Sequence, residues 1–301
     1  MSMFKKTTLA LAISVLAGGA LAQTAPAPAP APAPATSPIT ANVTVVSDYR
    51  YRGMTQSNYK PAIQGGFDYA HESGFYIGNW NSSISWINDS YQSDATVTTK
   101  PSAPIEMDFY AGFKKEIIGA GFASDLGILQ YYYPVANSPK DTCTSTSGTS
   151  RSTCGASPNT TELYAAQNFT FGPLSGFVKI SYSLTNLFGI YDSKGSYYPD
   201  LTVNYDTGFE GITINAHYGY QKVAGTQSSR SIAYNNFSYS DYKIGLTKDF
   251  GGGLSGSIAY VATSQPKTSS TGYLWSVPNT SGTNTSSQGK ANAVVSLTKT
   301  F

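Results

Sequence analysis

The chain has 301 residues, of which only 12% are charged and 13% aromatic, with 23 tyrosines and a formal net charge of +2. A charge this small, with no Lys/Arg cluster beyond the extreme N-terminus, gives nucleic acid no footing as a partner. After residue 22 no stretch approaches the ~20 consecutive apolar residues of a membrane-crossing helix, which excludes a helical membrane protein. Low charge with many aromatics is also unusual for a soluble domain. The mean hydropathy of −0.21 is what strands with one apolar and one polar face average to.

Taken in chain order, Lys5 and Lys6 precede an apolar run from Leu9 to Leu21 that ends in Ala20-Leu21-Ala22. This is the pattern of an export signal cut after Ala22, so residues 1–22 are expected to be a signal peptide. Residues 23–38 are an Ala-Pro-rich stretch, suited to an extended periplasmic linker, either a spacer or a disordered lead-in.

From residue 39 to 301 the chain alternates apolar and polar residues in about twelve segments. The predicted strands are 40–51, 62–70, 74–84, 104–115, 120–132, 161–171, 174–186, 198–206, 210–221, 239–250, 254–264 and 290–301. Side chains in a strand alternate between two faces, so each segment has a greasy and a wet side. Short turns at His71-Glu72-Ser73, Glu116 to Gly119, Gly172-Pro173, Asp206 to Glu210 and Gly251 to Gly253 alternate with long connections near 52–61, 85–103, 133–160, 187–197, 222–238 and 265–289. The expected fold is all-β: a transmembrane antiparallel up-and-down β-barrel of about 12 strands in the outer membrane of a Gram-negative cell, with both termini periplasmic.

Aromatics sort along this pattern. Phe75, Phe113, Phe122, Phe171, Phe209, Phe250 and Phe301 fall near short turns, and Tyr51, Tyr131, Tyr132, Tyr133, Tyr197, Tyr198 and Tyr239 near long connections. Two aromatic girdles are predicted, Phe at one rim and Tyr at the other. The last segment ends on Phe301, on the apolar parity, the expected membrane-insertion end through which barrel-assembly machinery would act. Lys299 lies on the same outward parity and is expected to snorkel to the interface.

Cys143 and Cys154 are the only cysteines. In an exported loop they are expected to form a disulfide, contributing up to ~3 kcal/mol in the chain-entropy model. Metal ligation is the alternative, but neither His71 nor His217 is near in sequence.

From Ser47 the chain reads SDYRYRGMTQSNYKPAIQGGFDYAHESGFYIGNWNS, followed by IEMDFYAGFK at 105–114, LGILQYYYP at 126–134, TELYA at 161–165, SYYPDL at 196–201, INAHYGY at 214–220 and YKIGLTKDF at 242–250. These blocks closely resemble the TorF-type porins, also called the Gcw_chp family of proteobacterial outer-membrane proteins, over essentially the whole barrel. The resemblance implies a membrane barrel of porin type and supplies no substrate. Lys299 departs from the family pattern, which has an outward aromatic or aliphatic residue there, and the Ala-Pro leader and the cysteine-bearing connection look like local elaborations.

Strand parity sends Asp48, Arg50, Asp68, Glu106, Asp108, Lys114, Asp125, Lys179, His217, Asp241, Lys243 and Asp249 inward, because an ionised side chain facing lipid costs ~2–4 kcal/mol. They are the candidate pore lining, and their acidic excess implies a weak cation preference. Alternatively they pair with one another and brace the barrel. Asp48 and Arg50 are expected to face Gln64 and Gly66 of the second strand, with Gly65 and Gly66 leaving room for a long side chain to cross, and Asp200 to sit opposite His217. Twelve strands imply a narrow passage for ions or small polar solutes if loops do not plug it. No cofactor, no metal and no enzymatic activity are expected: there is no G-x-S-x-G, and Glu106 with Asp108 is an ordinary lumen stripe. The ~20 residues before the first strand leave no room for a plug domain of the energised-uptake kind, so transport would be passive. Expected partners are outer-membrane lipid and lipopolysaccharide, the assembly machinery and small solutes, with monomer and trimer both open. A non-conducting barrel that acts through its long surface loops is the competing reading.

Overall fold

The computed structural model describes residues 37–92, 101–136, 142–143, 154–227, 232–233, 237–265, 267–268, 272–273, 275–278 and 285–301. The expected signal peptide and nearly all of the Ala-Pro stretch lie outside the described residues. Twelve strands close into one antiparallel barrel: β1 (Ile39–Val46), β2 (Ala62–Ala70), β3 (Phe75–Ser83), β4 (Ile105–Gly119), β5 (Phe122–Tyr132), β6 (Thr160–Phe171), β7 (Leu174–Ser183), β8 (Tyr197–Asp206), β9 (Ile212–Gln221), β10 (Tyr239–Gly251), β11 (Leu254–Thr263) and β12 (Asn292–Thr300). Each strand pairs with its sequence neighbours and β12 returns to β1, with Val45 opposite Leu297, so no edge is left unpaired. Phe301 adds a last rung, exchanging backbone hydrogen bonds with Ala41.

Alternation decides which face is which. In β2, Ile63 and Phe67 are 66% and 55% exposed while Gln64 and Asp68 are buried. The same split recurs in β11, where Ile258 and Tyr260 face out and Ser255 and Val261 face in. The barrel therefore wears its apolar residues outside and keeps its carboxylates inside, the reverse of a soluble protein. The short turns follow from local chemistry. In the turn after β10, Gly251, Gly252 and Gly253 all have φ between 60° and 82°, which only glycine adopts without strain. Lys299 reaches that turn and donates to the Gly252 carbonyl, its ammonium 5.5 Å from the Phe301 ring centre.

Three expectations are corrected. β1 ends at Val46 and not at residue 51; the chain turns inward, and Arg50–Tyr51 pairs with Met54–Thr55 in a small hairpin inside the barrel. Gln64 and Gly66 lie opposite Thr44 and Asn42, so Asp48 and Arg50 have other partners. The room predicted at Gly66 is taken up by β3, because a Cβ there would overlap the Asn79 carbonyl and lie 2.8 Å from Trp80 Cα. The tyrosine girdle is the third: Tyr132 and Tyr197 face outward, but Tyr131, Tyr133, Tyr198 and Tyr239 are buried. A phenol carries a hydroxyl that a buried carboxylate can engage, and that interaction draws Tyr131, Tyr133 and Tyr198 inward. Of the seven phenylalanines expected at the other rim, Phe75, Phe113, Phe171, Phe209, Phe250 and Phe301 are exposed and Phe122 is half-buried.

Inside, tyrosines lie over glycines. Tyr76 is directly opposite Gly112 and Tyr110 opposite Gly78 on β3 and β4, Tyr164 is opposite Gly127 on β6 and β5, and Tyr198 lies diagonally over Gly219. A methyl group at any of these glycines would overlap the ring beside it. Gly219→Ala is expected to push Tyr198 from its place and lower stability by about 1–3 kcal/mol, read as a shift in the denaturant midpoint of the folded barrel; an unchanged midpoint would show that the ring moves aside freely.

Candidate functional site

The long-connection half of the lumen is filled by its own loops. Residues 47–61 fold inward and bury Met54, Thr55, Gln56, Ser57 and Asn58. Residues 84–92 follow them, with the short helix Trp86–Gln92 setting Trp86 and Ile87 into the interior. The two loops are joined by the Gln56 carbonyl, which accepts from the backbone amides of Ser85 and Trp86 at 2.9 and 3.1 Å. A cluster of Tyr49, Trp80, Trp86, Ile87 and Tyr133 packs beneath them, with Tyr49 edge-on to Trp80 and Trp86 edge-on to Tyr133. The plug thus shares one apolar cluster with inward residues of the barrel wall, among them Trp80, Tyr110 and Leu129.

Its root is Asp48. That carboxylate accepts from Arg50 Nε at 2.6 Å, Thr55 Oγ1 at 2.6 Å and Asn292 Nδ2 of β12 at 3.0 Å. Arg50 Nη1 donates to the Gly53 and Lys290 carbonyls at 2.9 and 3.0 Å. Both residues are interior, but they fix the loop to the barrel and do not belong to its twelve strands.

Beneath the plug lies a belt of carboxylates. On β4, Glu106 accepts from the hydroxyls of Tyr49 at 2.8 Å and Tyr133 at 3.1 Å. Burial pushes both phenols up, and Glu106 raises them further, so they remain donors. Two residues on, Asp108 is 1% exposed and its Oδ1 has no hydrogen-bond partner among the described residues. Two strands further round the wall, on β6, Glu162 receives Arg52 Nη2 at 2.7 Å and Ser183 Oγ at 3.3 Å. Arg52 stands at the tip of the inward hairpin and spans from the β1–β2 side to the opposite wall, where its Nη1 also reaches Gln221 Oε1 at 2.6 Å. Burial works against the Arg52 charge, but the adjacent Glu162 carboxylate outweighs it and holds the guanidinium well above its ordinary range.

Nearer the short-turn end, Tyr110 donates to Asp68 at 2.5 Å and Tyr76 to Asp125 at 2.6 Å, and Lys114 is the cross-strand partner of Asp125. Lys179 lies 3.6 Å from Asp200, its cross-strand partner. His217 places Nδ1 3.1 Å from Asp200 and Nε2 2.8 Å from Asp241, which also receives Tyr198. The register sets Thr202 opposite His217 and Asp200 opposite Gly219, so the contact with Asp200 is diagonal, not direct as expected. Lys243 is the cross-strand partner of His217 on β10. Asp249 shares the inward parity but spends Oδ1 on the Gly251 amide at 2.8 Å, in an exposed turn.

Arg52 and Glu162 were missed by sequence reasoning, and both had left a trace. Glu162 shares parity with the buried Thr160 and Tyr164. Arg52 precedes Gly53 between two short pairing segments, as a hairpin turn residue would. Cys143 and Cys154 are cross-strand partners in a two-residue backbone pairing of Thr142–Cys143 with Cys154–Gly155; residues 137–141 and 144–153 of that connection lie outside the described residues.

A family model described as "Bacterial protein of unknown function (Gcw_chp)" matches residues 30–301. Among solved structures, the chain is similar to the KdgM porin solved in complex with disordered oligogalacturonate, at 8% identity and TM-score 0.45 over 87% of this chain and 98% of that one. It is also similar to outer membrane phospholipase A from Escherichia coli, at 11% identity and TM-score 0.42 over 87% and 91%. For OprD of Pseudomonas aeruginosa the values are 9% and 0.37 over 88% of this chain and 66% of that one. A search of curated proteins finds no match.

Proposed function

The chain belongs to the Gcw_chp family of bacterial proteins, and within it we propose a passive, narrow outer-membrane channel of the TorF porin type for ions and small polar solutes. Short turns and both chain ends face the periplasm, and the long connections face outward. Residues 1–22 direct export, the strand ending at Phe301 is the substrate of the barrel-assembly machinery, and the outer rim contacts lipopolysaccharide.

The observation that carries the reading is the charge of the lumen. Among the described residues, eight carboxylates are buried inside: Asp48, Asp68, Glu106, Asp108, Asp125, Glu162, Asp200 and Asp241. Against them stand Arg50, Arg52, Lys114, Lys179 and Lys243, which leaves three carboxylates without a cation, or two when His217 is protonated. Where those carboxylates are ionised, a low-dielectric wall focuses the surplus on the passage and favours cations. The inward loops make the resting channel tight, so conductance is expected to be small. Planar-bilayer recordings across a salt gradient test this: a reversal potential of cationic sign is expected. An anionic sign would overturn the selectivity, and no conductance under any condition would favour a non-conducting surface-interaction barrel.

No enzymatic role is proposed. His217 commits both ring nitrogens to carboxylates, and the contact of His71 with Ser73 Oγ at 2.8 Å lies in an exposed short turn, which it caps. The cross-strand position of Cys143 and Cys154 supports the disulfide. Peptide mass mapping without reductant is expected to recover the two cysteines as one linked peptide, and free thiols in the exported protein would exclude the bond.

A further inference from the structure

Arg52 occupies a backbone position that favours a different residue. With Gly53 it forms the two-residue turn between Arg50–Tyr51 and Met54–Thr55, and the two φ angles are 45° and 75°. Such turns prefer Asn-Gly, because a longer side chain is strained at positive φ. The turn is also pressed on the wall at β10 and β11: a Cβ on Gly53 would lie 2.5 Å from Thr263 Cγ2 and 2.6 Å from Asp241 Cβ. The compensation lies in the guanidinium. Its two terminal nitrogens donate to Gln221 Oε1 at 2.6 Å and Glu162 Oε2 at 2.7 Å. Its Cζ lies 4.2 Å from the Tyr198 ring centre and 4.9 Å from that of Tyr51.

Glu162, Gln221 and Tyr198 belong to the barrel wall, and each is held by groups other than Arg52. The amide nitrogen of Gln221 donates to the Tyr197 and Lys222 carbonyls at 3.3 and 3.0 Å, which turns its oxygen to the lumen. Ser183 steadies Glu162 at 3.3 Å, and Tyr198 is anchored on Asp241 at 2.9 Å. A carboxylate, an amide oxygen and an aromatic face set around one planar fork select a guanidinium over a compact ammonium. The arrangement is a preorganised receptor whose ligand is a residue of the same chain.

We propose that Glu162, Gln221 and Tyr198 form a binding site for guanidinium-bearing solutes, which Arg52 fills in the resting state. A free guanidinium competes with Arg52 for the wall and loosens the plug, which makes this class of cation the one that opens its own path. The opening step rests on the channel reading; the binding site does not.

The test uses the full exported protein in detergent, with methylguanidinium as probe and methylammonium as control. Arg52→Ala vacates the site. Calorimetry is expected to show methylguanidinium binding to this variant at least about tenfold more tightly than methylammonium, because only the planar ligand makes the paired charge-assisted bonds, and adding Glu162→Gln is expected to abolish the preference. Equal affinities of the two probes in a folded Arg52→Ala barrel would overturn the site. If that variant does not fold, hydrogen exchange on the wild type decides: methylguanidinium should speed exchange of the amides of residues 50–56 beyond an equal concentration of methylammonium, and equal rates would overturn the proposal. Binding with no conductance in any variant would support the site and remove the channel reading, whereas conductance without discrimination between the probes would do the opposite.

Discussion

Glu162→Ala is expected to release the plug and raise the conductance of the reconstituted barrel several-fold. Glu162 is 1% exposed and is the only carboxylate bonded to Arg52 among the described residues. Removing it strands a guanidinium in an interior where an unpaired charge costs about 3–5 kcal/mol. The barrel wall has twelve paired strands to resist that cost, but the Arg50–Thr55 hairpin has only a two-rung ladder of its own. The hairpin is therefore the element that yields. A bias of about 3 kcal/mol changes the docked-to-released ratio by roughly a hundredfold. Faster hydrogen exchange at the amides of Thr55 and Gln56, which bond the Gln288 and Tyr49 carbonyls, should accompany the rise. The double replacement Arg52→Met with Glu162→Leu supplies the control. It removes both charges together and is expected to keep the plug docked, since an apolar pair commonly replaces a buried ion pair without loss. Conductance equal to wild type in Glu162→Ala would show that the ion pair does not hold the loop.

Ile258→Arg is expected to destabilise the barrel in lipid by about 2–4 kcal/mol, the cost of a cation at mid-depth on the outer face. Ile258 lies at the middle of β11, 53% exposed among apolar neighbours. Ser257→Arg, one residue away, places the same charge in an acidic lumen and loses only the contact of Ser257 with Ser296 at 2.8 Å, a difference of about 1 kcal/mol. Folding titrations of the two variants in lipid vesicles separate the faces, and equal effects would mean that the apolar face is not the lipid-facing one.

Most of the architecture was legible because period-two alternation carries it directly. β2 was read at Ala62–Ala70 with its true ends, and the order of short and long connections follows the barrel. The reading failed where alternation continues past the strand. Residues 47–51 keep a strand-like pattern, but Asp48, Tyr49 and Arg50 are buried together, because the chain has turned into the lumen and packs on both sides. Tyrosine was ambiguous for a related reason: the same ring suits an interface and a carboxylate-lined interior, and only the position of Glu106, Glu162 and Asp241 in space decides between them. Parity supplied the candidate lining but not Arg52, because a hairpin that crosses the barrel leaves no periodic signal.

The tyrosine–glycine pairs also bear on how the strands find one another. If β3 slipped by two residues against β4, Tyr76 would meet Tyr110 or Lys114 in place of Gly112, and Tyr110 would meet Tyr76 or Trp80 in place of Gly78. Either slip keeps the inside and outside faces correct, so alternation alone cannot reject it. The joint is keyed: a ring seats only where the opposing strand has a notch, and two keys facing in opposite directions leave one register in which both close. Assembly of the β3–β4 pair can thus be checked locally, before the barrel is complete.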